Sequence, residues 1–184
     1  DAMKQELNLL DGYTPTSDLL NDAKKIIEVS QKAAYRAVNL ALVQRNWLLG
    51  YRIAQEELKG EGRSEYGTAV IRKLAKELTA EYGKGFDYSS LYKYFRFYKL
   101  YPEIVDSVSP QSGALLSWTH YRVLLQVEDK TARDWYTKEA ANQTWSVRTL
   151  QRNISSQYYY RLLKSQNQEP VKQEMEKLTA GYQA

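Results

Sequence analysis

The sequence predicts an all-α fold led by one long helix. Three observations carry that expectation. Gly and Pro number only nine and four in 184 residues, and they cluster between periodic segments. Long stretches repeat apolar residues three and four positions apart, the spacing of one helical face. No stretch makes a convincing strand, and so no glycine-rich phosphate loop can follow one.

The first helix is expected to start near Ser17, which can cap it. Leu20, Ala23, Ile27, Ala34, Val38, Ala41, Leu42 and Leu49 fall close to one stripe, and neither Gly nor Pro interrupts Thr16–Leu49. A helix over those 34 residues spans about 50 Å at 1.5 Å per residue. A domain of this size is about 40 Å across. The helix must therefore bend at its Ala-rich centre, or its N-terminal half must pack on another chain; the second is favoured. The loop Lys59-Gly60-Glu61-Gly62-Arg63 ends the helical region near Leu58.

A second helix is predicted over Glu65–Tyr82, with Val70, Leu74 and Leu78 facing in and Ala75 beside them. Gly83-Lys84-Gly85-Phe86 makes a turn in which two residues tolerate positive φ. A third helix runs to Tyr101 and is stopped by Pro102. Further helices are predicted at about 118–127, 131–142 and 147–163, and Pro170 can open a short one in the polar tail. Three helix starts share one device. Phe86-Asp87 with Leu91, Leu116-Ser117 with Tyr121 and Trp145-Ser146 with Leu150 each set an apolar residue before a cap and another where the chain folds back on it. The chain divides into an extraneous or disordered segment 1–16, a helical domain 17–163 and a polar tail 164–184.

Composition excludes much chemistry. There is no Cys, so disulfides, thiolate nucleophiles and Cys-based zinc sites are absent. The one histidine, His120, excludes multi-His metal sites. No apolar run approaches the roughly 18 residues of a membrane span, and no secretion signal is evident, so a cytoplasmic protein without a membrane partner is expected. No cofactor is expected. Net charge is +4, unevenly placed. Residues 1–34 carry four Lys against six acids, residues 35–163 carry 19 Lys/Arg against 13 acids, and the rest balance. A basic middle suits a polyanion, because Lys and Arg displace counterions from phosphates; it also suits an ordinary solvated surface.

Leu74 to Tyr101 has the rhythm of a DNA-binding helix-turn-helix: a first helix with the small Ala75 where packing is tight, a glycine turn, and a second helix. Leu91, Phe95 and Tyr98, with Tyr94 beside them, are expected to face the core. Ser89, Tyr92, Lys93, Arg96 and Lys99 fall on the other side. Tyr82–Tyr101 holds nine aromatics, four Lys/Arg and one acid. Amines, guanidinium and hydroxyls beside flat rings suit phosphate and base-edge contact, and Lys84 precedes a helix N-terminus that favours phosphate. The same pattern also describes a core helix with a solvated basic rim.

Residues 144–163 contain Arg148, Arg152 and Arg161 and no acid. Val147, Leu150, Ile154 and Tyr158 form the expected buried stripe, while Arg148, Arg152, Ser155 and Tyr159 lie elsewhere. Either a phosphate clamp or a solvated surface fits. The candidate DNA contacts are thus Lys84, Ser89, Ser90, Tyr92, Lys93, Arg96, Lys99, Arg148 and Arg152. Glu57-Leu58-Lys59 matches half of a nuclease motif but sits at a helix end, whereas that motif needs a strand to project both side chains beside a second carboxylate. His120 reads as a half-buried helix residue bonding a backbone group. Trp47, Trp118, Trp135 and Trp145 read as core anchors. No catalytic constellation is legible, so the chain is not expected to be an enzyme.

Several blocks together resemble a known family. They are Asn46-Trp47-Leu48-Leu49-Gly50-Tyr51-Arg52-Ile53, Tyr66-Gly67, Ile71-Arg72-Lys73-Leu74-Ala75-Lys76-Glu77-Leu78, Gly83-Lys84-Gly85-Phe86 and Phe97-Tyr98 with Tyr101-Pro102. Ser117-Trp118-Thr119-His120-Tyr121, Trp135-Tyr136 and Trp145–Ile154 complete the set. Their order and spacing resemble the N-terminal domain of the YhcG-type bacterial proteins, over about residues 33–163. The resemblance implies a helix-turn-helix module, winged or not, that binds DNA and precedes a PD-(D/E)xK-type nuclease domain. Asp87-Tyr88-Ser89-Ser90-Leu91 departs from the family pattern, where more Arg and an Asn before the leucine would stand; a shared DNA preference is therefore not implied. Only 30 residues follow Ile154, too few for a catalytic α/β core. The leading expectation is a DNA-binding module that targets a downstream nuclease domain. The alternative is a protein-interaction module that dimerises through residues 17–49 or docks the nuclease.

Overall fold

Asp18, rather than Ser17, caps the first helix: its carboxylate accepts from the Asn21 amide at 3.0 Å, while its own amide donates to the Thr16 hydroxyl. The computed structural model describes residues 12–60, 63–103, 116–165 and 168–181. From that cap α1 runs unbroken over Leu19–Leu58. Forty residues at 1.5 Å each make it about 60 Å long. Its two halves differ sharply. Val43, Trp47, Gly50, Ile53 and Ala54 are buried in the C-terminal half. In the N-terminal half Leu20, Ile27, Tyr35 and Val38 are 58–69% exposed. Only Asp22 and Val29 are covered there. The segment 12–16 folds back against them: Thr16 donates to Asp22 through its amide at 2.9 Å and its hydroxyl at 2.6 Å, and Tyr13 adds a third bond at 3.2 Å. Those Thr16 bonds hold the Asp22 carboxyl below the usual range.

After α1 come α2 (Ser64–Tyr82), α3 (Tyr88–Leu100), α4 (Trp118–Leu124), α5 (Lys130–Asn142), α6 (Val147–Ser155), α7 (Tyr158–Lys164) and α8 (Gln168–Ala180). The all-α expectation holds: the described residues contain helices and no strand. Of the irregular stretch Glu103–Leu116, the place a wing could occupy, 104–115 lie outside the described residues, as do 1–11.

The core has two parts. A small one joins Ile53 of α1, Ile71 and Ala75 of α2, and Leu91 and Tyr94 of α3. A larger one gathers Val43, Trp47, Phe97, Tyr121, Leu124, Tyr136, Leu150, Leu162 and Met175. α3 packs most extensively on α1. Gly50 makes that possible, because a Cβ there would lie 2.0 Å from the Tyr94 carbonyl oxygen. This backbone contact sets the rotation of α3. Leu91, Tyr94 and Phe97 face inward, and Phe95 and Tyr98, expected there, are only partly buried. In α2 the buried pair is likewise Ile71 and Ala75, with Val70, Leu74 and Leu78 at the margin.

The helix predicted over 147–163 is two helices. Gln157 adopts φ 59°, the left-handed region, and separates α6 from α7. The break is stabilised from α5. The Tyr136 hydroxyl accepts from the Tyr159 amide at 3.1 Å and donates to the Asn153 carbonyl at 3.3 Å. A donor that a continuous helix would have used internally is thereby satisfied. In α6 itself Thr149, Leu150 and Asn153 are buried, while Val147 and Ile154 are half-buried.

Two of the three staples hold as read; at the third Asp87 stands at the cap position but its side chain makes no capping bond and is held by the Ser90 hydroxyl instead. Ser117 accepts from the His120 amide and Ser146 from the Thr149 amide, with Leu116 and Trp145 buried beside Tyr121 and Leu150. His120 is half-buried and bonds a backbone group, also as read. Its Nε2 donates to the Trp145 carbonyl at 2.7 Å, and its Nδ1 accepts from the Ser117 amide at 3.2 Å.

Candidate nucleic-acid interface

Tyr82 ends α2, and the chain reverses through Gly83 (φ 79°) and Gly85 (φ 98°). No neighbouring atom crowds a Cβ at either glycine, so backbone conformation rather than space requires them. The turn is fastened from inside by the buried Tyr94, whose hydroxyl donates to the Gly85 carbonyl at 2.8 Å. Burial pushes that phenol's pKa up. Phe86 packs against the smaller core under the guanidinium of Arg45, 5.2 Å from the ring centre. At the head of α3 the Ser90 hydroxyl donates to Asp87 at 2.5 Å and holds that carboxyl below its usual range.

With Leu91, Tyr94 and Phe97 facing in, α3 turns a different set outward. Tyr88 and Tyr92 stack nearly parallel, 6.2 Å between centres and 7° between planes, and Phe95 continues the row 6.3 Å further on. A cation closes each end: the Arg72 guanidinium lies 5.8 Å from the Tyr88 ring, and the Lys99 amine 5.5 Å from the Phe95 ring. The rings follow spacings of four and three, which keeps them on one side of the helix.

The nine predicted contacts divide. Lys84, Ser89, Tyr92 and Lys99 are exposed, and Lys93 is half-exposed. Ser90 is engaged by Asp87. Arg96 reaches across to the Leu125 carbonyl at 3.0 Å and so joins α3 to the end of α4. On α6, Arg148 is exposed. Arg152 instead turns toward α8, where its Nη2 bonds the Thr179 hydroxyl at 2.8 Å and the Met175 carbonyl at 3.3 Å. Its guanidinium thus clamps the C-terminal helix. Arg72 and Tyr88 were missed as surface residues, and Phe95, half-buried against the smaller core, was not seen to extend the row. The signal was present, since 88, 92, 95 and 99 share a helical side, but Phe95 was assigned inward.

The described residues contain no group of three or more His, Cys, Asp or Glu able to hold a metal ion, and no helix long and apolar enough to cross a membrane.

The DUF1016 N-terminal domain family matches residues 22–161. A protein of Escherichia coli (strain K12) named "Putative nuclease YhcG" is 28% identical over a 177-residue alignment, which covers 81% of this chain and 47% of that relative. The chain therefore spans about half the length of the curated relative it matches. No solved structure matches it. With the match extending from the first turn of α1 into α7, the chain belongs to the DUF1016 N-terminal domain family.

Proposed function

We propose that this domain binds DNA through a helix-turn-helix made by α2 and α3, and that it delivers a nuclease domain following it in the full-length protein. One observation carries the reading. After a tight glycine turn, α3 holds a stacked row of aromatic rings on its solvent side, bordered by Arg72, Lys93 and Lys99. Cations of that kind position a duplex through its phosphates, while ring and hydroxyl edges of Tyr88, Ser89 and Tyr92 reach bases. Lys84 and Arg148 would add phosphate contacts. Ser90, Arg96 and Arg152 support the fold around this surface. The family relative named as a nuclease supports the second half of the reading.

The test is duplex binding by this chain at several salt concentrations. Log K should fall by about 0.9 per phosphate contact against log salt. Lys93→Ala with Lys99→Ala should weaken binding and flatten that slope, and Lys130→Ala should do neither. Unchanged affinity in the double variant rejects α3 as the contact.

A second reading, favoured by the bare half of α1, is self-association. Leu20, Ile27, Ala34 and Ala41 recur every seven residues, the seam of a two-helix coil, and all are exposed. A second copy supplies a matching seam. Sedimentation of Ile27→Glu decides: a dimer in the parent chain that becomes monomeric supports it, and an unchanged mass defeats it.

A further inference from the structure

On the far side of the larger core, α5, α7 and α8 enclose a cleft of about 680 Å³. That lies within the range of small-ligand sites. Two kinds of side chain line it. Trp135, Trp145, Tyr158 and Tyr159 supply aromatic walls, and Glu139, Glu169 and Glu176 supply negative charge; Lys172 lines it too, and the Arg152 guanidinium bonds Asn153, Met175 and Thr179 in its wall. Among the described residues neither the Glu139 nor the Glu176 carboxylate has a partner in an ion pair or hydrogen bond. Asn153, also at the wall and 1% exposed, leaves its amide nitrogen without a hydrogen-bond partner. The cleft therefore combines two carboxylates without an ion-pair partner, flat π surfaces and a buried amide donor without an acceptor.

We propose that this cleft binds a guanidinium group on an amide-bearing stem, an arginine in chemical terms. A bare metal ion does not fit, because these carboxylates are too dispersed to converge on one. A primary ammonium is strongly hydrated, whereas guanidinium is weakly hydrated, stacks on indole and phenol faces, and meets carboxylates through two parallel bonds. An acceptor on the stem, such as an amide carbonyl, would satisfy Asn153. The negative field is already felt inside: besides burial, Glu139, Glu176 and Glu169 push up the pKa of the Tyr158 phenol, which stands among them. This site shares no residue with the α3 surface and does not depend on the DNA reading.

The experiment is a tryptophan-fluorescence titration of the intact chain with N-acetylarginine amide. The neutral isostere N-acetylcitrulline amide and a five-residue peptide with one central Arg are titrated in parallel. Saturable binding of an arginine probe, at least tenfold weaker for the citrulline probe and in Glu139→Gln with Glu176→Gln, supports the site. Both carboxylates reach solvent, so the amides leave the fold intact, which circular dichroism checks. A peptide that binds tenfold tighter than the amide identifies a protein segment as the source, and equal affinity identifies a free guanidine. No saturation with either arginine probe, equal binding of the citrulline probe, or an unaltered double variant overturns the proposal.

Discussion

α3 and α6 are close counterparts on paper. Each follows a staple and an Asp or Ser cap, each carries cations without excess acid, and each has aromatic neighbours. The fold uses them in opposite ways. α3 lies on α1 with one face and leaves Tyr88, Tyr92 and Lys99 to solvent. α6 is covered on a second side by α8, and that cover consumes Arg152. Even within α3 the rule is local, since Arg96 points at Leu125 while Lys99 does not. A helix's composition decides what it could contact; the elements laid over it decide what remains to do so.

The sharpest way to break the contrast is to move α3. Gly50→Ala puts a methyl 2.0 Å from the Tyr94 carbonyl, and backbone cannot yield as a side-chain tip can. Urea unfolding should show a loss of about 3 kcal/mol, and duplex affinity should fall with it. Gly83→Ala is the control. Nothing lies within 4 Å of its Cβ, so only the backbone pair φ 79°, ψ −139°, close to a region essentially reserved for glycine, resists, at about 2 kcal/mol. Equal effects would mean that the α1–α3 contact is not what places α3.

Next in size is the clamp. Arg152→Ala removes two bonds to α8, and hydrogen bonds of a charged donor contribute about 2 kcal/mol. Amide exchange over 168–180 should accelerate, while duplex affinity stays within about twofold of the parent. A large loss of DNA binding with α8 still protected would return Arg152 to the interface. On α3 the smaller counterpart is Tyr92→Ala, expected to weaken duplex binding by about 1 kcal/mol with the salt slope unchanged, because a ring carries no charge.

The fold class, two of the three staples, the glycine turn and the role of His120 were legible because each is local: a spacing, a cap, a residue free to take positive φ. What was not legible was rotation. The inward side of α3 is fixed by the Gly50–Tyr94 backbone approach, which joins residues 44 positions apart, so Phe95, half-buried at the edge of the smaller core, was read as wholly inward and the aromatic row went unseen. Arg152 was read as facing phosphate or solvent because its partner, α8, lies in a stretch read as a polar tail, although Val171, Met175 and Leu178 at spacings of four and three mark a face that could dock. The break at Gln157 had no Gly or Pro to announce it, since the Tyr136 hydroxyl from another helix holds it.

The gentlest probe of the contrast is pH. His120 ties the start of α4 to the residue just before the α6 cap, through Nε2–H to the Trp145 carbonyl. Its Nδ1 must accept from the Ser117 amide, which requires the neutral ring. Burial lowers its pKa against a smaller opposing push from the Trp145 bond. The folded state therefore binds fewer protons than the unfolded chain as pH falls through the ordinary histidine value of about 6.5, and stability drops below that pH and is complete above it. His120→Gln should be less stable at pH 8 yet flatter between pH 7 and 5. Because no histidine touches α3, amides around α6 should lose protection in that window before those of α3. Simultaneous loss in both helices would show that they unfold as one unit and that their difference is one of exposure alone.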